Sequence, residues 1–302
     1  MPADVDPDVP EQRILEQSTR LGDGGAVSGW VSGWAGCRLH GAAFFDGVAR
    51  DGRTLVPVPL VTGGTTLRSD GSVRILRDRL TPGDVVVRHG IRTTRVERSL
   101  FDAMRTAEAR EAVVAMDMAA AADLVSVARM RRYLSTRTGA RGLRHVRRAL
   151  ALASEQSRSP NETRMRLVWV LDAGLPAPLV NQPVFDRQGR LLGIVDLLDE
   201  PAGLVGEFDG ADHRTAARHS SDVGREDDLR RVGLEVFRVT GPDLVVPDRV
   251  ASRMRWARNR AAWEPEERRR WTTEPPAWWE GPVTLDEHLD AQDVLRSLND
   301  AG

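Results

Sequence analysis

The chain has 302 residues and a formal net charge of -1, with 43 basic residues against 44 acidic ones. All 43 basic residues are arginine, so no lysine is present to act as a general base, a Schiff-base amine or a phosphate ligand. The near-neutral balance excludes a uniformly basic nucleic-acid binder, and any phosphate contact would require a local cluster of arginines. The single cysteine, Cys37, excludes an internal disulfide and a thiolate metal cluster.

The sequence also lacks the signals of membrane insertion and export. No apolar run approaches the length of a membrane span. The N-terminal residues Met1–Asp8 are acidic and contain proline, which is the opposite of the basic and then apolar order of a signal peptide. We therefore expect a cytoplasmic protein with no membrane contact, long enough for two ordinary domains.

The predicted elements divide the chain into five segments with different compositions. Both large segments alternate helical and strand-like patterns, so the predicted fold class is α/β in two domains. In chain order, the segments are a disordered lead-in (1–22), an α/β domain (23–125), an arginine-rich helical connector (126–157), a second α/β domain (158–263) and a tail rich in tryptophan and proline (264–302).

The connector carries a regular arginine pattern. Arg137, Arg141, Arg144 and Arg148 recur at i, i+4, i+7 and i+11, which predicts one stripe on a continuous helix. Two interpretations are open for this stripe. It is a solvated helix face, as charge runs usually are, or it is a surface that contacts the phosphates of DNA.

The second domain is predicted to begin with a helix. Ser159-Pro160-Asn161-Glu162 is a capping box with proline at the first helical position, and Gly174 ends this helix. Further elements are predicted in the order strand, strand, strand, helix, strand, helix, at Val180–Asp186, Leu191–Leu198, Leu204–Asp209, Asp222–Val232, Glu235–Thr240 and Asp248–Trp263.

Acidic residues interrupt two of these apolar strands. Glu207 and Asp209 are two residues apart, so they share one face of their strand while Phe208 points to the other face. Asp196 ends the apolar run of the preceding strand, and a matching register would bring all three acids together. Carboxylates are rarely buried unless they are paired or bind a cation. The pattern therefore predicts a site for Mg²⁺ or Mn²⁺ formed by Asp196, Glu207 and Asp209.

The same region carries a family resemblance. The pattern Glu207-Phe-Asp-Gly-x-x-His213 is followed by Arg225-x-x-x-Leu229-x-x-x-Gly233-x-x-Val236-x-Arg238. With the element order, it resembles the PD-(D/E)XK restriction-endonuclease-like superfamily, and more closely a bacterial domain of unknown function related to very-short-patch-repair endonucleases. The resemblance covers roughly residues 158–245 and implies a mixed sheet flanked by helices. Residues Gly90–Asp102 are similar to actinobacterial proteins resembling AbiEi-type abortive-infection antitoxins.

The resemblance implies roles for six residues. Asp196 and Glu207 match the two acids that hold Mg²⁺, and Glu162 matches the acid of the first helix. Asp209 stands where the superfamily has a lysine that assists the attacking water. His213 and Arg225 are candidates for the proton transfer or the positive charge that this lysine would supply. Glu162 also has a structural interpretation as the third residue of the capping box.

Three functions follow from these observations. The first is metal-dependent cleavage of DNA phosphodiester bonds, with Glu162, Asp196, Glu207, Asp209, His213 and Arg225 as the catalytic set. The alternative is a non-catalytic DNA-binding regulator of the abortive-infection antitoxin type that retains a nuclease fold. The third is an interaction protein. A homodimer is compatible with each of the three.

Overall fold

The computed structural model describes residues 9–22, 29–64, 67–210, 216–281 and 283–300, with backbone alone for 216–223 and 296–300. The helices are α1 (Pro10–Ser18), α2 (Gly33–Leu39), α3 (Val96–Thr106), α4 (Ala109–Ala121), α5 (Val127–Ser135), α6 (Leu143–Ala151), α7 (Pro160–Leu167), α8 (Ala216–Arg231), α9 (Pro247–Arg260) and α10 (Leu285–Asp300). The strands are β1 (Gly29–Val31), β2 (Val58–Thr62), β3 (Val73–Leu76), β4 (Val85–Arg88), β5 (Ile91–Thr94), β6 (Leu179–Asp186), β7 (Leu191–Asp199), β8 (Leu204–Asp209), β9 (Glu235–Thr240) and β10 (Trp271–Thr272).

The chain forms two compact units, and the α/β class predicted from the sequence is confirmed. The first unit comprises residues 1–155 together with 284–302, and the second comprises 156–283. Each unit holds a mixed sheet, with strand orders β3-β2-β1-β5-β4 and β10-β6-β7-β8-β9. In the part of the chain that the structure describes, we find no helix long and apolar enough to cross a lipid bilayer.

Apolar helix faces form much of the core of the first unit. Leu100, Phe101 and Met104 of α3 are almost fully buried, and their spacing places them on one side of the helix. Helices α3 and α4 both lie in segment 23–125, which the sequence predicts to be an α/β domain.

The described part of the predicted disordered lead-in, residues 9–22, contains a helix. Residues Pro10–Ser18 form α1, in which Ile14 is fully buried. The guanidinium of Arg13 donates hydrogen bonds to the carbonyl oxygens of Gly47 and Val56. The buried Ile14 and Arg13 therefore attach this helix to the first unit.

The predicted continuous helix of the connector is wrong. Helices α5 and α6 are separated by residues 136–142, in which Gly139 and Gly142 adopt positive φ angles of 76° and 84°. Glycine adopts this left-handed backbone without steric penalty, and it therefore favours a turn over a helix. Both helices belong to the first unit, so 126–157 is no independent connector between the units.

The predicted C-terminal tail is divided between the units. Strand β10 pairs with β6 in the second unit, and its Trp271 is only 3% exposed. Helix α10 belongs to the first unit, where Arg129 of α5 contacts the carboxylates of Asp290 and Asp293 at 2.6 and 2.8 Å. The described residues of the predicted tail therefore contribute to both units.

The second unit has the element order that the sequence predicts. Helix α7 continues through a π-helical turn at Val168–Asp172, and strands β6, β7 and β8, helix α8 and strand β9 follow. Strands β6, β7 and β8 pair antiparallel, whereas β8 and β9 pair parallel. Apolar side chains cover both faces of the sheet: one cluster joins it to α7 and α9, and another includes Leu229 of α8.

Candidate active site

Glu207 lies in β8 where the strand emerges from the core. The first four residues of β8 are buried and Asp209 at its end is exposed. Glu207 is 7% exposed. Its Oε2 accepts a hydrogen bond of 2.9 Å from Nη2 of Arg225, and Oε1 has no hydrogen-bond partner among the described residues. A buried carboxylate oxygen without a donor is energetically costly, which is typical of a functional group.

Asp196 of β7 is brought to Glu207 by the pairing of β7 with β8. The antiparallel register joins Leu197 to Gly206, and one further step places Asp196 opposite Glu207. The amide of Phe208 donates a hydrogen bond of 2.6 Å to Oδ2 of Asp196. This contact fixes the orientation of the half-buried Asp196 carboxylate, next to the pair Leu197–Gly206.

The surroundings of Glu207 change its acidity. Burial raises the pKa of this carboxyl, and the negative charge of Asp196 raises it further. The positive charges of Arg225 and Arg238 and the hydrogen bond from Arg225 lower it, and the net result is a pKa of about 7. Near neutral pH, Glu207 therefore populates both protonation states, a property that clusters at functional sites.

Arg225 of α8 reaches the site across a glycine. The backbone of Gly193 in β7 is so close that an added Cβ would lie 2.9 Å from Cδ of Arg225. Nη1 of Arg225 donates to the carbonyl oxygen of Ile194 at 2.9 Å while Nη2 contacts Glu207. The structure thus places the charge of Arg225 on the buried acid.

Two further charged residues, which the sequence reasoning did not assign, complete this arrangement. Arg238 lies beside Glu207 in the parallel register of β8 and β9, and its Nη2 is 2.8 Å from Oε2 of Glu226 on α8. The available signal was an arginine in the middle of the apolar strand Glu235–Thr240. Glu207 and Arg238 on the sheet thus face Arg225 and Glu226 on α8, with the charges alternating.

The other predicted site residues are held by local hydrogen bonds, exposed at the end of β8 or outside the described region. Oε2 of Glu162 accepts hydrogen bonds of 2.8 Å from the amide of Arg158 and from Nδ2 of Asn181, and the Glu162 amide donates to Oγ of Ser159 at 3.2 Å, so Glu162 has a structural role at the start of α7. Asp209 is exposed at the end of β8. His213 lies outside the described residues. Within the described ranges, no group of three or more histidine, cysteine, aspartate or glutamate side chains is arranged to hold a metal ion.

The four arginines of the predicted stripe do not share one helix face. Arg137 lies in the turn after α5, and its guanidinium forms two hydrogen bonds with the buried carboxylate of Asp84 and stacks 4.5 Å from the ring of Tyr133. Arg137 therefore has a structural role. Arg141, Arg144 and Arg148 are exposed, the last two on α6.

Known proteins give no independent indication of function. No protein-family model, no curated protein and no solved structure matches this chain significantly.

Proposed function

We propose that the second unit is a metal-dependent DNA endonuclease that hydrolyses phosphodiester bonds in the cytoplasm. The observation that supports this proposal is the proximity of Asp196 to the buried Glu207, whose pKa is raised to about 7. Two carboxylates brought together on adjacent apolar strands destabilise the fold unless a cation or a proton compensates them. The second unit has the element order on which the nuclease resemblance is based, and its sheet is mixed and flanked by helices.

The residues present fit a hard divalent cation. Oε1 of Glu207 has no hydrogen-bond partner among the described residues, and the Asp196 carboxylate is oriented by the amide of Phe208. Oxygen ligands of this kind are those that Mg²⁺ and Mn²⁺ prefer. We assign Asp196 and Glu207 as the residues that would hold the ion, with Asp209 at the exposed end of the same strand. When bound, the ion would polarise the phosphate and lower the pKa of a bound water.

Two arginines supply positive charge beside these acids. Arg225 neutralises part of the charge of Glu207 and keeps this carboxyl from protonating fully at neutral pH. A guanidinium with further N–H donors beside the acids can also bind a non-bridging phosphate oxygen, where the superfamily resemblance would place a lysine. Arg238 is held by Glu226 and acts on Glu207 through its charge alone.

A plasmid-nicking assay tests this proposal. The wild type is incubated with supercoiled plasmid and Mn²⁺, in parallel with Asp196→Asn and Glu207→Gln. The matched control is Asp248→Asn, which removes an exposed carboxylate on α9. We expect nicking by the wild type and the control, and a loss of at least about a hundredfold in the two site variants. Equal nicking by the wild type and Glu207→Gln would contradict the assignment.

One observation favours a second candidate, a DNA-binding regulator without catalysis. Arg225 already satisfies one oxygen of Glu207, and the position of the superfamily lysine is taken by the exposed Asp209. In this case, the protein retards DNA in a gel and does not cut it with Mn²⁺. A protein that neither cuts nor retards DNA would support the third interpretation, an interaction with another protein.

A further inference from the structure

A cavity of about 370 Å³ lies between α5 and α6 of the first unit. Each helix provides an arginine and the residues three and four positions after it, which lie on the same helix face. The lining residues are Arg131, Leu134 and Ser135 from α5 and Arg147, Leu150 and Ala151 from α6. Its volume falls in the range of about 300–1,000 Å³ that is typical of pockets for small organic groups. We refer to it as the α5–α6 cavity.

The α5–α6 cavity combines an apolar floor with a cationic rim. Leu134 and Leu150 are buried, whereas the side chains of Arg131 and Arg147 are exposed. Nη2 of Arg147 donates to the carbonyl oxygen of Leu134 at 3.4 Å, a weak contact that keeps the guanidinium at the rim. No acidic side chain is part of the lining. The site therefore favours an anionic group attached to an apolar or aromatic body.

The arginines of α5 fall into two classes. Arg129 and Arg132 form ion pairs with Asp286, and Arg129 also with Asp290 and Asp293, so the acids of α10 neutralise them. In the described part of the chain, neither Arg131 nor Arg147 has an acidic partner. Two of the uncompensated positive charges of this helix pair therefore line the α5–α6 cavity.

Positive charge continues beyond the rim. Arg141, Arg144 and Arg148 are exposed on or next to α6. A single phosphate would need only the two rim arginines, whereas a series of exposed arginines along one helix matches a polyanion. A base enters a pocket of this kind only when it is unpaired, as in a single strand.

We propose that the α5–α6 cavity receives one nucleotide of a single-stranded nucleic acid. The base contacts Leu134 and Leu150, Arg131 and Arg147 bind the flanking phosphates, and the strand continues along the arginines of α6. This inference rests on the proposed function, because it names the form of nucleic acid that the protein binds. It concerns residues of the first unit, whereas Asp196 and Glu207 belong to the second.

The test measures binding of a short fluorescein-labelled oligothymidylate by anisotropy, in EDTA so that no cleavage occurs. A hairpin duplex with the same number of nucleotides is measured in parallel. The variant R131Q/R147Q removes both rim charges, and R53Q/R88Q, two exposed arginines elsewhere in the first unit, is the matched control. Ala151→Leu fills part of the cavity and leaves every charge in place. Thermal melting establishes that each variant is folded.

We expect the wild type to bind the single strand at least tenfold more tightly than the duplex. R131Q/R147Q should bind the single strand at least tenfold more weakly. The slope of log affinity against log salt concentration should become shallower by about 1.4, because each of the two lost phosphate contacts contributes about 0.7. R53Q/R88Q should lose less than threefold, and Ala151→Leu should weaken the single strand alone. Equal losses in both double variants, or unchanged binding in R131Q/R147Q, would overturn the inference.

The outcomes separate this inference from the proposed function. Binding that depends on Arg131 and Arg147, without plasmid nicking in Mn²⁺, would leave the inference standing and reject the nuclease. Nicking that depends on Glu207, with binding unaffected in R131Q/R147Q and in Ala151→Leu, would reject the inference alone.

Discussion

Nη2 of Arg225 lies 2.9 Å from Oε2 of Glu207, and the missing side chain of Gly193 makes this contact possible. The side chain of Arg225 passes over β7 at Gly193. A Cβ on this residue would lie 3.2 Å from Cγ and 2.9 Å from Cδ of Arg225, so only glycine leaves enough room. The ion pair thus depends on a glycine that is in another element and carries no charge. The buried Glu207, helix α8 and the backbone of β7 therefore meet at this contact.

This coupling predicts the effect of Gly193→Ala. The added methyl group displaces Arg225 and leaves Glu207 without its hydrogen bond, so Gly193→Ala should reproduce the effect of Arg225→Gln on Mn²⁺-dependent nicking. We expect each variant to lower the rate about tenfold or more, and the double variant to be no worse than either single one. The double-mutant cycle is measured by nicking rates at saturating Mn²⁺. Additive losses would show that the glycine acts independently of Arg225.

Glu207 should reduce the stability of the protein that contains it. Its charge is buried and incompletely compensated, so Glu207→Gln in EDTA at pH 8 should leave the free energy of unfolding unchanged or raise it by about 1 kcal/mol. The same variant should lose Mn²⁺ binding in calorimetry. Urea denaturation of the wild type and the variant measures the first effect. A loss of several kcal/mol in the variant would mean that the carboxylate stabilises the fold.

The ion pair between Asp84 and Arg137 predicts how the stability of the first unit changes at low pH. Burial raises the pKa of the Asp84 carboxyl, but hydrogen bonds from Thr81 and Arg137 and the charge of Arg137 lower it more. Because the folded-state pKa is below the unfolded value of about 4, this carboxylate stabilises the fold above that pH. The contribution disappears as the pH falls through the folded-state pKa.

The matched variants for this pair are Asp84→Asn and Arg137→Gln. Asp84→Asn should show a smaller loss of stability than the wild type between neutral pH and pH 3. Arg137→Gln leaves a buried carboxylate without its counterion and should cost about 2 kcal/mol at pH 7, less than for fully buried pairs because Arg137 is partly exposed. Thermal unfolding across this pH range measures both. Parallel pH curves for the wild type and Asp84→Asn would contradict the assignment.

Two tryptophans of the C-terminal region should differ in their effect on stability. Trp271 in β10 is 3% exposed and packs among the apolar residues of the second unit, whereas Trp278 is 59% exposed. Trp271→Ala should therefore destabilise the protein by about 3 kcal/mol or more, as large-to-small core substitutions do. Trp278→Ala, the matched control, should cost less than about 1 kcal/mol. Denaturant unfolding followed by far-UV circular dichroism compares them, and equal effects would contradict the burial pattern.

Local signals in the sequence predicted the elements of the second unit. The capping box at Ser159 starts α7, the turn Asp186–Gly189 joins β6 to β7, and apolar runs mark the strands. The same runs singled out Asp196 and Glu207, because an acid inside an apolar strand is conspicuous within a few residues. The extent of these elements and the two central acids therefore followed from the sequence alone.

Only the tertiary structure decided what these residues contact. The pairing of Glu207 with Arg225, the position of Arg238 beside Glu207 and the space above Gly193 depend on how α8 lies on the sheet. Strand β10 joins β6, and α5, α6 and α10 belong to the first unit, through contacts between residues far apart in the chain. Local periodicity and capping arise within a few residues, whereas long-range packing and charge pairing are set when apolar faces are buried together.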